Sequence, residues 1–279
     1  MMKLSQIFVA AWLALLSLAT HAQSTSNPPP FALVMVDEAS ERKLGYPIDR
    51  TLMARAINRL ADAGVRGVVL QFHYDEPGES AADSALAAAM GRTRVVLQAK
   101  LEDGEKQPNA LPTRFFINAA TTNAPIAARS GWMPIPMLSN RAAVVGLADG
   151  VRGDLIPAFG RYQDKALPSL TVAALQVALG GSVSIVPGQR MSIGGRSLAL
   201  DGQSLISVRP DAFRDVDDTE YIPFGELVSE RALPNWLRGK VVVIGYHGNR
   251  IGRVSTPGGS IRAHFVYWLG LIDVWKQLQ

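Results

Sequence analysis

The chain contains no cysteine among its 279 residues. That excludes disulfides, thiolate metal sites and a cysteine nucleophile, and it makes an oxidising compartment harmless to the protein. A Lys/Arg-rich run is also lacking. The 28 basic and 24 acidic side chains leave a formal charge of only +4, mixed along the sequence. Nucleic-acid binding needs a basic stripe with interleaved aromatics, so this composition argues against it. Nor does any apolar run reach the roughly 20 residues of a comfortable membrane span. The two longest are 7–19 and Phe265 to Ile272.

The first of these runs belongs to "MMKLSQIFVAAWLALLSLATHAQ", with Lys3 at its start and Thr20-His21-Ala22 before Gln23. A short charged start, a brief apolar core and small residues at the cut predict a signal peptide over 1–22, with an uncleaved anchor as the alternative. A polar, proline-rich linker follows over 23–30, and the folded body is expected over 31–279. The second run reads as a buried or amphipathic terminal helix.

Between them the pattern alternates. "FALVMV" is a continuous apolar run, as a strand buried on both faces requires. "RTLMARAINRLADAG" repeats Leu52, Ala56, Ile57 and Leu60 at helical spacing and ends at Gly64. "VRGVVLQF", the helix "SAADSALAAAMG" and "RVVLQAK" continue a β-α-β-α-β order, which predicts parallel strands. Prolines from 108 to 136 predict loops over one end of the sheet. A strand, a Gly-centred turn, a second strand and a helix starting near Ser169 and ending at Gly180-Gly181 come next. "SIVPGQRMSIGGRSLALDGQSLISVRP" predicts antiparallel hairpins. "KVVVIGY" is a last buried strand. The expected class is α/β, a mostly parallel central sheet with flanking helices and an antiparallel β extension.

These segments, in this order, resemble the type-two CHASE domain (CHASE2), an extracellular sensory module of bacterial cyclases and histidine kinases. The resemblance rests on "VMVDEAS", Pro47 and Arg50 in "YPIDR", "GVRGVVLQFHYDEP" with Asp83 beyond it, "GLADGVRGDLIP", "LPSLTVAAL", "YIPFGELVSE", "LRGKVVVIG" and Thr256-Pro257. It implies a periplasmic or secreted sensor that detects an unidentified signal and does no chemistry; a small-molecule ligand is one expected partner. The chain stops at Gln279 without the transmembrane and output regions of the usual architecture, so it resembles a free-standing version. A membrane-bound kinase or cyclase ectodomain is then the expected partner. Three positions depart from the family pattern. Gln71 stands where the strand usually ends in aspartate, and basic or neutral residues around Arg253 precede the Thr-Pro pair. Arg262 replaces an acid near His264.

Ligands of open α/β sheets bind beyond the carboxyl ends of the strands. The candidate ligand residues there are Asp37, Glu38, Arg50, His73, Asp149, Arg152 and His247. For Asp37 and Glu38 the plain alternative is structural: one caps the turn "EASERK" and the other pairs with Arg50. For "ADGVRGD" it is a hairpin whose Arg152 and Asp154 take part in a cross-strand ion pair. Gly245, Gly248 and Gly252 match neither the dinucleotide fingerprint nor the P-loop, and His73, His247 and His264 show no metal-ligand spacing, so neither cofactor nor metal is expected. No nucleophile elbow is present. The competing reading is a periplasmic hydrolase using a carboxylate pair drawn from Asp37, Glu38 and Asp75.

Overall fold

A computed structural model describes residues 28–104, 108–148, 154–214, 216 and 219–279. The main sheet has seven strands: β1 (Phe31–Val36), β2 (Gly67–Leu70), β3 (Arg94–Leu101), β4 (Gly131–Trp132), β5 (Val144–Leu147), β6 (Ile222–Pro223) and β7 (Val241–Tyr246). Their spatial order is β6-β1-β7-β2-β3, with β5 and β4 both pairing onto β3. Every pairing is parallel except β3 with β4. The predicted α/β class with a mostly parallel sheet is what the molecule adopts. The insertion of the last long strand, β7, between β1 and β2 is not visible in the order of elements along the chain.

Strands β1, β2 and β7 are buried along their whole length. Their apolar side chains alternate between the two faces, as the pleat dictates. Val34, Val36, Val68, Leu70, Val242 and Ile244 join one core with helices α2 (Arg50–Asp62) and α3 (Ser80–Met90). Leu33, Met35, Val69, Val241 and Val243 join a second core with α5 (Leu170–Leu179) and α7 (Ala263–Gln277). Short α1 (Glu38–Leu44), α4 (Pro136–Ser139) and α6 (Phe224–Leu227) complete the helices named here. The runs are apolar without polar alternation because each strand faces a core on both sides.

Helix α5 shows how local signals and packing agree. Ser169 caps it, its hydroxyl accepting from the Val172 amide at 3.3 Å, and Gly180 at φ +74° ends it. It sits so close to the sheet that a Cβ on Gly146 of β5 would lie 2.7 Å from the Leu170 Cα and 2.9 Å from the Ala173 Cβ. The obstacle is backbone, which has no rotamer to yield. Gly146→Ala is therefore expected to cost about 1–3 kcal/mol of stability, measurable by urea unfolding.

The antiparallel extension is a three-stranded meander of Val183–Val186, Arg190–Ile193 and Arg196–Ala199. Its second turn uses Gly194 and Gly195, both at positive φ, a conformation that favours glycine. A further hairpin, Phe159–Tyr162 with Lys165–Pro168, is not among the sequence expectations. One expectation is overturned. The strand after "ADGVRGD", Leu155–Pro157, does not form a hairpin with β5; it pairs antiparallel with Leu205–Ser207. Strand β5 instead lies parallel to β3, which leaves no ladder between the two segments. Asp149 and Arg152 themselves lie outside the described residues.

Candidate functional site

Beyond the carboxyl ends of β7, β2 and β3 lies a cavity of about 710 Å³. Its floor begins with a repeated string. "VVLQ" occurs at Val68–Gln71 and again at Val95–Gln98, and the two copies pair in register, Val68 with Val95 through Leu70 with Leu97. Continuing that register places Gln71 beside Gln98. Both are buried, at 3% and 4% exposure, and both line the cavity. The Gln71 Oε1 is buried with no hydrogen-bond partner among the described residues. Space for this amide comes from Gly245 of β7, where a Cβ would approach Oε1 to 2.6 Å.

Two histidines share the cavity wall. His264, at the start of α7, accepts the Tyr246 backbone N–H on Nδ1 at 2.8 Å. Its other nitrogen therefore carries the ring proton. Desolvation lowers its pKa to about 3, with His73 adding a smaller push in the same direction. The His73 pKa is also lowered, mainly by burial, and its Nδ1 is a buried atom without a hydrogen-bond partner among the described residues. The His73 ring meets Trp132 edge-on at 5.0 Å. Both imidazoles are neutral near pH 7.

Both arginines of the lining are bound to carboxylates. Arg50, the first residue of α2, donates to the Asp83 carboxylate and, at 2.7 Å, to the Glu76 carbonyl. Its guanidinium also lies over the Tyr74 ring. Asp83 is 3% exposed, and its other oxygen accepts the Gly78 amide at 2.9 Å. Tyr246 and Arg250, also of the lining, both donate to Glu41, which borders a neighbouring depression: the Tyr246 hydroxyl and Arg250 Nε each lie 2.6 Å from its carboxylate. Those two hydrogen bonds, Tyr246 first, lower the Glu41 pKa.

The candidate ligand residues do not gather at one rim. Arg50 and His73 line this cavity together. Asp37, Glu38 and His247 line three separate depressions. Asp37 is used as the cap of α1, its carboxylate accepting the Ser40 amide at 2.8 Å. Glu38 accepts from Asn249 Nδ2 at 2.8 Å. The capping alternative for this acid pair holds. Its second half is corrected: the carboxylate bound to Arg50 is Asp83, not Asp37 or Glu38. The reason is position, since β1 lies toward the β6 edge while Arg50 sits over the β2 loop.

His247 borders a smaller recess of about 290 Å³ with Arg253 and Arg262. Its pKa is lowered by burial first and by Arg262 second. Arg262, where the resemblance implies an acid, donates to the Gly248 carbonyl and to Asn249 Oδ1, fastening the loop after β7. Among the described residues no group of three His, Cys, Asp or Glu side chains is arranged to hold a metal ion. Likewise, no helix among them is long and apolar enough to cross a membrane.

Sequence reasoning missed Gln98, Glu41, Tyr246 and Arg250. The repeated "VVLQ" was a usable signal, because a polar residue at the same point of two adjacent buried strands falls on one face. Glu41 and Arg250 are 209 positions apart in the chain, and only the pairing of β1 with β7 brings them together.

A family model, the CHASE2 domain, matches residues 4–269. The match begins just before the N-terminal apolar run 7–19 and ends within α7. Neither comparison with curated proteins nor comparison with solved structures gives a match.

Proposed function

The chain belongs to the CHASE2 family of extracellular sensory domains, and on that premise we propose that it is a ligand-receiving module of an exported protein. In this reading it does no chemistry and passes ligand occupancy to a membrane-bound kinase or cyclase. The signal peptide over 1–22 delivers it to the periplasm. The observation that carries the proposal is the cavity at the carboxyl ends of β7, β2 and β3, with a buried Gln71 whose Oε1 has no hydrogen-bond partner among the described residues. A buried polar group left unpaired costs stability, and a bound molecule supplies the missing hydrogen bond.

The hydrolase alternative loses its acid pair. Asp37 and Glu38 line different depressions from Asp75, and Asp37 is consumed as a helix cap. Glu41 and Asp83 are each held by an arginine. A glycosidase-type mechanism needs two carboxylates facing one bond, and that arrangement is not supplied by the residues named for it.

The receptor part is tested by cross-linking the tagged, exported chain in whole cells and identifying what is joined to it. Recovery of a membrane kinase or cyclase ectodomain is expected. Recovery of no membrane protein, with the chain present in the periplasmic fraction, would count against the proposal.

A further inference from the structure

We propose that the β7–β2–β3 cavity takes an uncharged, hydroxylated molecule of sugar size, anchored by the Gln71–Gln98 amide pair and by His264. This rests on the reading of that cavity as a ligand site and names the chemical class. The argument is one of charge and of hydrogen-bond valence.

The deep part of the cavity carries no net charge. Gln71 and Gln98 are amides, and His73 and His264 are neutral imidazoles. An ion brought there gives up its hydration without meeting an opposite charge. An anion is further disfavoured because both arginines of the lining are already held, Arg50 by Asp83 and Arg250 by Glu41. Asp49, Asp75, Glu76 and Glu79 also belong to the lining. A cation meets these carboxylates at the lip but not at the amide floor.

The floor instead asks for groups that donate and accept at once. Gln71 presents an acceptor without a partner. His264, with Nδ1 engaged by the Tyr246 amide, keeps its proton on the other nitrogen and is a donor there. The buried His73 Nδ1 is a third unpaired position. A hydroxyl group matches any of these, because each has one donor and two acceptor lone pairs. Phe72, half-buried, and the exposed Tyr46 add aromatic surface for the apolar face of a sugar ring. The volume of about 710 Å³ falls within the range of small-molecule sites.

The test is thermal unfolding of the exported chain with three defined pools. One holds neutral mono- and disaccharides and polyols, one holds carboxylates and phosphates, and one holds di- and polyamines. The uncharged pool is expected to raise the melting temperature of the wild-type chain by about 2–4 °C. Gln71→Leu is expected to melt no lower than wild type without additive, since it removes an unpaired buried amide at similar volume, and to lose the shift. Gln98→Leu serves as the second variant should Gln71→Leu fold poorly. A shift produced only by a charged pool overturns the sugar assignment and leaves the ligand-site reading standing. A shift that survives in both variants overturns the anchoring. No shift from any pool overturns both the assignment and the ligand-site reading.

Discussion

Asp83→Ala is expected to destabilise the protein by about 3–5 kcal/mol, because it breaks a buried ion pair by removing one partner. The Asp83 side chain is 4% exposed and that of Arg50 17%. Removing the carboxylate leaves the guanidinium uncompensated and the Gly78 amide without its acceptor. Arg50→Ala has a comparable cost for the converse reason: a buried carboxylate keeps one backbone donor and loses its counter-charge. The double variant should therefore be less destabilised than the sum of the two, which is the signature of direct coupling. Replacement of both by Leu and Met should recover much of the loss, since apolar substitutes for a buried pair are often neutral or better. Urea unfolding of wild type and these four variants checks this. A loss below about 1 kcal/mol for Asp83→Ala, the range of solvent-exposed pairs, would show that the bridge is not buried in solution. The pair also fixes the cavity rim, since Arg50 and Gly78 both line it.

Acid should weaken the protein well before its carboxylates titrate. The pKa of His264 is about 3 in the fold against an ordinary 6.5. Between these values the unfolded chain binds a proton that the folded chain does not, so stability falls as the pH drops from 6.5 toward 3. The slope from one such group is about 1.4 kcal/mol per pH unit, and the effect is absent above 6.5. His73 and His247 are shifted the same way by burial and add to the upper part of that window. Glu41 acts lower down: its lowered pKa contributes stability above the ordinary carboxylate value, lost as the pH falls through that range. His264→Asn keeps an acceptor for the Tyr246 amide and removes the titration. Its stability should fall less than wild type between pH 6.5 and 4.5, by about 2–3 kcal/mol at the lower end. Parallel pH curves for the two proteins would contradict the burial of a neutral imidazole at this position.

The fold was legible where one local signal and one packing demand agreed. "FALVMV" and "KVVVIGY" read as strands buried on both sides, and Ser169 with Gly180-Gly181 brackets α5 from sequence alone. What stayed hidden was non-local. Nothing in the order of elements says that β7 enters between β1 and β2, or that Leu155–Pro157 leaves β5 for Leu205–Ser207. The site followed the same rule. Arg50 needed a carboxylate, but the choice between Asp37, Glu38 and Asp83 depended on how α2 and α3 pack. The acids at the end of β1 are nearer Arg50 in sequence, whereas Asp83, 33 positions away on α3, is the one that packing brings to it. Gln71, set down as the loss of an expected acid, is instead the polar centre of the cavity floor.

Hydrogen exchange without additive and with each of the three pools tests the central claim most directly, that the β7–β2–β3 edge receives a ligand. Slower exchange is predicted over residues 71–78, over the loop 247–251 and at the start of α7 around His264, with little change elsewhere. Protection confined to the His247–Arg253 recess, or no protection at residues 71–78, would contradict it.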